Sequence, residues 1–343
     1  MEYELRYEDI TGNPAPTINL DKSDFEFLKG RTVLVTGAGG SIGSRIANHL
    51  AQVPDVKLLA LDRDENSLHS LSLLISNTAL FQEATYVLQD IRDKIGLDKI
   101  LKHSKPSLII HCAALKHLSV LENHPREAVL TNVIGTLNLL ESAAESDVPH
   151  FLNVSTDKAA EPTSILGKSK RIAELLVIHE RNIGRKGFTN VRFGNVFNSK
   201  GSVIETFQHQ ILNGASITLT DPGMKRYFMH IDEAAALAIK SSAINAGAIH
   251  ILDMGEPILM IDIIERLKLA LKSNAKIEVT GARQGEKFNE DLMNEFETFG
   301  KTTNAKIRTL DANQSGVKLS ETPRIDSDLE AINFIGKTLG NVE

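Results

Sequence analysis

The stretch that most constrains this chain is residues 31–43, RTVLVTGAGGSIG. Val33, Leu34, Val35 and the methyl of Thr36 read as a short buried strand. A turn built from Gly37, Gly39, Gly40 and Gly43 follows, and a helix predicted over 41–52 opens straight out of it. Strand, glycine turn and helix in this order form the entrance of a dinucleotide-binding unit. Gly37 permits the tight turn, Gly40 lets a pyrophosphate approach bare backbone, and Gly43 lets helix and strand pack closely. Ser41 and Ile42, first in the helix, bring unpaired N–H groups and the positive end of a dipole to the same place. About 20 residues on, LLALDRDE is a second apolar strand ending in Asp62, an acid placed to accept both adenosine ribose hydroxyls. A carboxylate there repels a 2′-phosphate and favours NAD; Arg63 beside it leaves NADP open.

The alternation continues along the chain. Strands are predicted at 32–36, 56–61, 84–88, 107–111 and 149–154, with helices at 41–52, 64–77, 93–103 and 124–146 between them. Each strand is nearly all apolar, the mark of a parallel sheet covered on both faces. Residues 1–29 are polar and irregular and read as an extended arm ending in a short turn or helix, anchored by Phe25, Phe27 and Leu28. A net charge of −6 argues against a nucleic-acid or anionic-membrane surface. The single cysteine, Cys112, excludes an internal disulfide and fits a reducing compartment. No apolar run approaches the length needed to cross a bilayer, and no signal peptide opens the chain. The expectation is a cytoplasmic protein without a cysteine-based metal site.

Ligands of such a sheet sit outside the carboxyl ends of the strands, so residues just past each strand form the shortlist. Asp90 and Ile91 follow the third strand, where an acid or backbone can hold adenine; a helix cap is the other reading of Asp90. Past the fourth strand, Ala113 and Ala114 are small enough for backbone to run against a cofactor. Lys116 and His117 come next, as ligand contacts or as a solvated pair. Asn132 is polar on a largely apolar helix, suited to a buried hydrogen bond or to ordering a water near the nicotinamide. The most chemical stretch is Ser155, Thr156, Asp157 and Lys158, a hydroxyl, an acid and an amine together at the fifth strand's end. A surface turn uses the same residue types. Lys170 lies on a helix predicted over 165–180, with Leu166 one turn earlier on the same face.

TGAGGSIG, the acid after the second strand, HCAALKH, STDK and the lysine on the following helix resemble the extended short-chain dehydrogenase/reductase superfamily. More narrowly, LKHLSVLENHPREAVLTNVIGT, STDKAAEPTSILGKSKRIAE, VRFGNVF, KRYFMHIDEA, ILDMGEP and GARQGEK resemble the bacterial polysaccharide-biosynthesis nucleotide-sugar 4,6-dehydratases. The resemblance covers about residues 8–295. YEDITGNPAP followed by LKGRTVLVTG resembles the juncture of the long, membrane-anchored members, whose anchor is not in this sequence. The superfamily pairs its lysine with a tyrosine four residues earlier; Leu166 stands there, and none of the four tyrosines lies in the segment. The long dehydratases also lack that tyrosine, usually having methionine, so an apolar residue fits the subfamily and leaves the first base open.

The resemblance implies a Rossmann-type doubly wound α/β fold with a smaller discontinuous cap. Residues 30–198 and 227–254 form the NAD(P)-binding domain, 199–226 and 255–343 the substrate cap and tail, and 1–29 an N-terminal extension. A strand at 189–194 ends near Asn195, which borders nicotinamide and substrate in the family; a helix is predicted over 230–245, and a weak one near 326–338. Arg226, just past the PGMK turn, and Arg283, with Glu286 in the same GARQGEK motif, suit a nucleotide diphosphate, although exposed arginine is the plainer reading. The implied reaction is 4,6-dehydration of a UDP-sugar, most simply UDP-N-acetylglucosamine, for surface polysaccharide synthesis. The NAD stays tightly bound and is recycled. In that chemistry Lys158 removes the C5 proton, its neutral amine favoured by burial and by Lys170. Asp157 protonates the leaving 6-hydroxyl, Thr156 orients the 4-hydroxyl, and Lys170 holds the nicotinamide ribose. A 4-epimerase, a 4-reductase or a non-catalytic NAD(P)-binding protein are the alternatives. The helices at 124–146 and 165–180 carry more apolar surface than one sheet face needs, which predicts a homodimer or a higher homo-oligomer.

Overall fold

The computed structural model describes residues 5–17, 20–78, 85–295, 297–312, 316–319 and 321–340. A short helix α1 (Tyr7–Thr11) comes first, and a 3-10 helix (Lys22–Leu28) leads into the alternating part of the chain. There, β1 (Thr32–Thr36), α2 (Ser41–Ala51), β2 (Lys57–Asp62), α3 (Glu65–Ser76), β3 (Thr85–Leu88), α4 (Lys94–Ser104) and β4 (Leu108–His111) follow one another. Next come α5 (Leu118–Asn123), α6 (Pro125–Ala128), a π-helical turn (Val129–Ile134), α7 (Gly135–Glu145), β5 (His150–Val154), a 3-10 turn (Asp157–Ala159), α8 (Ile165–Asn182) and β6 (Phe188–Arg192). The remainder is β7 (Asn195–Phe197), α9 (Val203–Leu212), β8 (Ile217–Leu219), β9 (Lys225–Arg226), β10 (Phe228–His230), α10 (Ile231–Ser242) and β11 (Ile249–Leu252). It closes with β12 (Ile258–Leu259), α11 (Met260–Ala270), β13 (Ile277–Val279), β14 (Glu297–Lys301), β15 (Ile307–Ala312) and α12 (Asp328–Gly340).

Nine strands form one sheet in the order β14-β15-β11-β6-β5-β4-β1-β2-β3, parallel from β3 to β11 and antiparallel at β15 and β14. The run 3-2-1-4-5-6 is that of a dinucleotide-binding sheet, and the order reverses between β1 and β4, opening a crevice there. Side chains alternate as a strand requires. Val33 and Val35 pack with Ile46, Leu50 and Ala235 on one face, while Leu34 packs with Leu101, Leu140 and Ile172 on the other. Fully burying such a side chain is worth about 1.5–3 kcal/mol, so both faces favour this register. Asp64, Asp93, Ser164 and Ser202 cap α3, α4, α8 and α9 through their side chains. Each cap is worth about 1 kcal/mol.

A second core holds the cap together. Ile204, Phe207, Ile217, Leu219, Met260, Ile263 and Leu267 cluster around the parallel pair β8 and β13. The ends of the chain depart from expectation. The arm is not extended throughout: α1 buries Tyr7 and Ile10 in the cap core, and the Tyr7 hydroxyl donates to the Phe228 carbonyl at 3.1 Å. Residues 1–4, 18 and 19 of that arm, and 341–343 of the tail, lie outside the described residues. Residues 297–312, expected in the cap, instead form the antiparallel edge of the main sheet. The helix near 326–338 exists as α12 and packs on α6 and α8, burying Ala331 and Ile335. It therefore covers part of the helical surface expected to pair across a two-fold axis. The single helix expected over 124–146 is interrupted by the π-helical turn at Val129–Ile134.

Candidate active site

The glycine turn folds as the spacing requires. Gly37 has φ +63, and a Cβ there would stand 2.6 Å from the Ala113 backbone nitrogen. At Gly43 a Cβ would meet the Gly37 carbonyl oxygen at 2.1 Å. No side chain fits either place, so the turn stays bare against β4 and α2. Asp62 ties the turn to β2: its Oδ2 accepts the Gly39 N–H at 2.9 Å and its Oδ1 the Asp64 N–H at 3.1 Å. A cleft over the strand ends is lined by Gly37, Gly40, Asp62, Arg63, Gln89, Asp90, Ile91, Cys112, Ala113, Ala114, Leu115 and Thr131. Arg63 lies 3.9 Å from Asp90, whose other oxygen accepts the Arg92 N–H. The α4 cap is Asp93, not Asp90. Burial pushes the Cys112 thiol up to about 12 against the pull of Lys170, so it is neutral. A bare turn at a helix start, with an acid at the next strand end, is a cradle that fits a nicotinamide dinucleotide.

Other residues expected on the cofactor (Ser41, Ile42, Asn132) or on the substrate (Lys116, His117) also serve the frame. Ser41 Oγ accepts the Lys200 N–H at 3.0 Å, and Lys116 Nζ donates to the Lys200 carbonyl, which seats the 199–201 loop beside the turn. The His117 ring packs beside Gly201. Ile42 packs against the core beneath the turn. Asn132, in the π-helical turn, clamps Leu115 from both sides, accepting its N–H at 2.8 Å and donating to its carbonyl at 3.0 Å. The buried hydrogen bond is thus its observed role.

At the end of β5 the chemistry gathers. The Thr156 hydroxyl donates to Asp157 Oδ1 at 2.8 Å. The same oxygen takes the Lys158 N–H at 2.8 Å and Lys158 Nζ at 3.1 Å. Asp157 is only 2 % exposed, and its Oδ2 has no hydrogen-bond partner among the described residues. Beyond it, Lys158 Nζ reaches Glu290 Oε1 at 3.4 Å, across from the segment that follows the cap. Burial opposes the charge on Lys158, yet Asp157 and then Glu290 outweigh it and hold its pKa above the usual lysine value. The expectation of a neutral resting amine is corrected: two carboxylates face it, and Lys170 does not. Lys170 is the amine that burial does depress, to about 8, against Glu174; its Nζ donates to the Val154 carbonyl at 2.7 Å. Leu166 is buried one turn before it, in the apolar cluster under α8.

The remaining expected residues separate. Arg226 is buried and spends its guanidinium on the carbonyls of Lys225, Lys287 and Phe288, at 2.8, 2.7 and 2.9 Å, so it holds the segment after β13 rather than an open anion site. Glu286 caps that loop through the Arg283 N–H, and Arg283 itself is exposed. The Asn195 backbone pairs β7 with β10.

A second ionic group lies behind the first. Glu174 receives Arg192 Nε and Nη2 at 2.7 Å each, Arg171 Nη1 at 2.8 Å and the Ser155 hydroxyl at 2.7 Å. Glu297 takes the other side of Arg192 at 2.8 and 2.9 Å. Burial disfavours the charged carboxyl, but the two arginines win and bring Glu174 down to about 2. Sequence reasoning missed Glu290, Glu297 and Arg192. It also passed over Tyr227, whose Cβ lies, like Asp157 Oδ2, 3.1 Å from where a Gly194 Cβ would stand. Arg192 and Tyr227 lie in the VRFGNVF and KRYFMHIDEA motifs, but nothing local in them reveals a partner far away in the chain.

A family described as polysaccharide biosynthesis protein matches residues 33–312. The probable polysaccharide biosynthesis protein EpsC of Bacillus subtilis is 38% identical over 310 residues, 89% of this chain and 52% of the relative, so the chain spans about half of that protein. A UDP-glucose 4-epimerase of Rickettsia rickettsii is 31% identical over 276 residues, 78% of this chain and 79% of the relative. Among solved structures, Pen from Bacillus thuringiensis superposes with a TM-score of 0.75 at 29% identity, covering 91% of this chain and 99% of that one. More distant structures of the same fold were solved with NAD bound, sugar-nucleotide epimerases and a dTDP-glucose 4,6-dehydratase among them.

Proposed function

This chain belongs to the polysaccharide biosynthesis protein family, and from that premise we propose that it is an NAD-dependent dehydratase. It would convert a UDP-sugar, most simply UDP-N-acetylglucosamine, to its 4-keto-6-deoxy form. The observation that carries this reading is the set Thr156, Asp157, Lys158, an acid and an amine side by side at the end of β5. Moving a hydride at C4 needs one proton acceptor; removing water across C5 and C6 needs an acid and a base together. Gly37, Gly40 and Asp62 would hold the dinucleotide, with Lys170 on the nicotinamide ribose. When bound, NAD supplies a reversible hydride acceptor, so that C4 is oxidised and C6 is reduced.

The chain's own groups move the protons. The Thr156 hydroxyl, already donating to Asp157, relays the proton of the 4-hydroxyl to that carboxylate. Asp157 then gives it to the oxygen on C6, which leaves as water. Lys158, as the free amine, takes the C5 proton and later returns it to C5. The proton count closes with one water lost. Asp62, held against the glycine turn, favours NAD over NADP, since its carboxylate repels a 2′-phosphate.

The experiment is mass spectrometry of UDP-N-acetylglucosamine incubated with the protein and either dinucleotide. The expected product is lighter by about 18 mass units, the loss that a positioned acid and base produce, and it forms faster with NAD. A sugar of unchanged mass but inverted C4 favours the epimerase reading, which the rickettsial relative supports; faster turnover with NADP overturns the choice of dinucleotide.

A further inference from the structure

We propose that Glu290 is a positioning residue for Lys158, the counter-charge for the ammonium that Lys158 becomes as it takes the C5 proton. The inference rests on the dehydratase reading and deepens it. Glu290 comes from the segment following the cap, more than a hundred residues from the strand end it faces, and is only 9 % exposed. A carboxylate so buried costs free energy unless a cation answers it, and the Lys158 amine at 3.4 Å does.

The site is unevenly shared. Asp157 Oδ1 already holds three donors, from Thr156 and from Lys158 twice. It must also gain and lose a proton at O4 and O6, so its charge varies through the cycle. Glu290 has no such duty. The groups facing it are Lys158, Asp157 and Arg226, and the guanidinium of Arg226 is committed to carbonyls. During elimination the C5–H bond breaks and a new N–H bond forms on Lys158. The freed electron pair becomes the C5–C6 double bond as the C6–O bond breaks, and water departs with the proton from Asp157. Positive charge therefore develops on Lys158 Nζ, next to Glu290, in a site with little water to screen it. Burial lifts the carboxyl of Glu290, Lys158 lowers it and Asp157 lifts it again, leaving it above the ordinary range.

The test compares Glu290→Gln and Glu290→Asp with the unaltered protein across pH, following water loss by mass. Lys158 must be uncharged to act, so turnover rises with pH through its pKa. Removing the anion lowers that pKa, and in Glu290→Gln the rising limb moves about one to three pH units towards acid. Its alkaline plateau falls about 10–100-fold, because the ammonium formed is less stabilised. Glu290→Asp keeps the limb nearer its original place while losing plateau. A plateau loss with the limb unmoved makes Glu290 merely structural and overturns the proposal. A second readout needs no turnover: acetylation of Lys158 by acetic anhydride against pH, quantified on its peptide. Its midpoint should fall in Glu290→Gln, and identical midpoints overturn the proposal whatever the reaction. If the midpoint moves but the unaltered protein eliminates no water, the dehydratase reading fails and its use of this pair fails with it, while the ion pair stands.

Discussion

Two buried ionic groups sit back to back in this molecule, built from similar residues and put to different ends. Arg171, Glu174, Arg192 and Glu297 balance in charge and bond one another at 2.7–3.3 Å. Asp157, Lys158 and Glu290 have two acids for one amine, with Asp157 Oδ2 unpartnered among the described residues. The first group locks β6 to α8 and to the start of β14. The second is left with a spare acceptor facing the strand ends. Burial and charge are common to both groups; what separates them is satisfaction, and it is the unsatisfied acid that the proposed chemistry needs.

The contrast can be broken by mutation. The largest effect on stability is expected at Glu174→Gln, which leaves Arg171 and Arg192 short of an anion and costs about 3–5 kcal/mol. Urea unfolding reads it, and a loss below about 1 kcal/mol would erase the distinction. Acid should do the same by protonation. Glu174 titrates near 4.5 when unfolded and about 2 when folded, so its contribution is whole above pH 4.5 and disappears as pH falls towards 2. Next is Asp157→Asn, expected to cut turnover by about 10²–10⁴ while changing stability much less than Glu174→Gln. Equal destabilisation by the two would mean that both groups are structural. The smallest effect is expected at Thr156→Val, which removes one hydrogen bond to a charged group, about 1.5–3 kcal/mol. Steady-state turnover should fall about 10–100-fold with dinucleotide binding by calorimetry unchanged; full activity would remove Thr156 from the relay.

The sheet was legible because each strand is a short apolar run between turn residues, and the glycine spacing set the crevice at β1. The Ser155–Lys158 stretch was legible because its residues are neighbours in the chain. Glu290 was not, since its meaning arises only when the segment after the cap returns to β5. Arg192 sits in a motif that the family resemblance had singled out, but a charge inside a buried strand says nothing of its partner. Glu297, its partner, lies 105 residues on. Arg226 misled for the opposite reason: a guanidinium suits phosphates, and only the fold reveals that three carbonyls already occupy it.

The path of the chain has a mechanical consequence. It begins in the cap core with α1, runs through the sheet, and returns to the cap for α9 and β8. It then goes back for β11, out again for α11 and β13, and home for β14 and β15. The two lobes are laced rather than hinged. Connections in parallel add their stiffness, as springs side by side do, so a wide swing of one lobe must bend every lace at once. A single pivot cannot open such a seam, and its closest tie is the 199–201 loop, held to the glycine turn by Ser41 and Lys116.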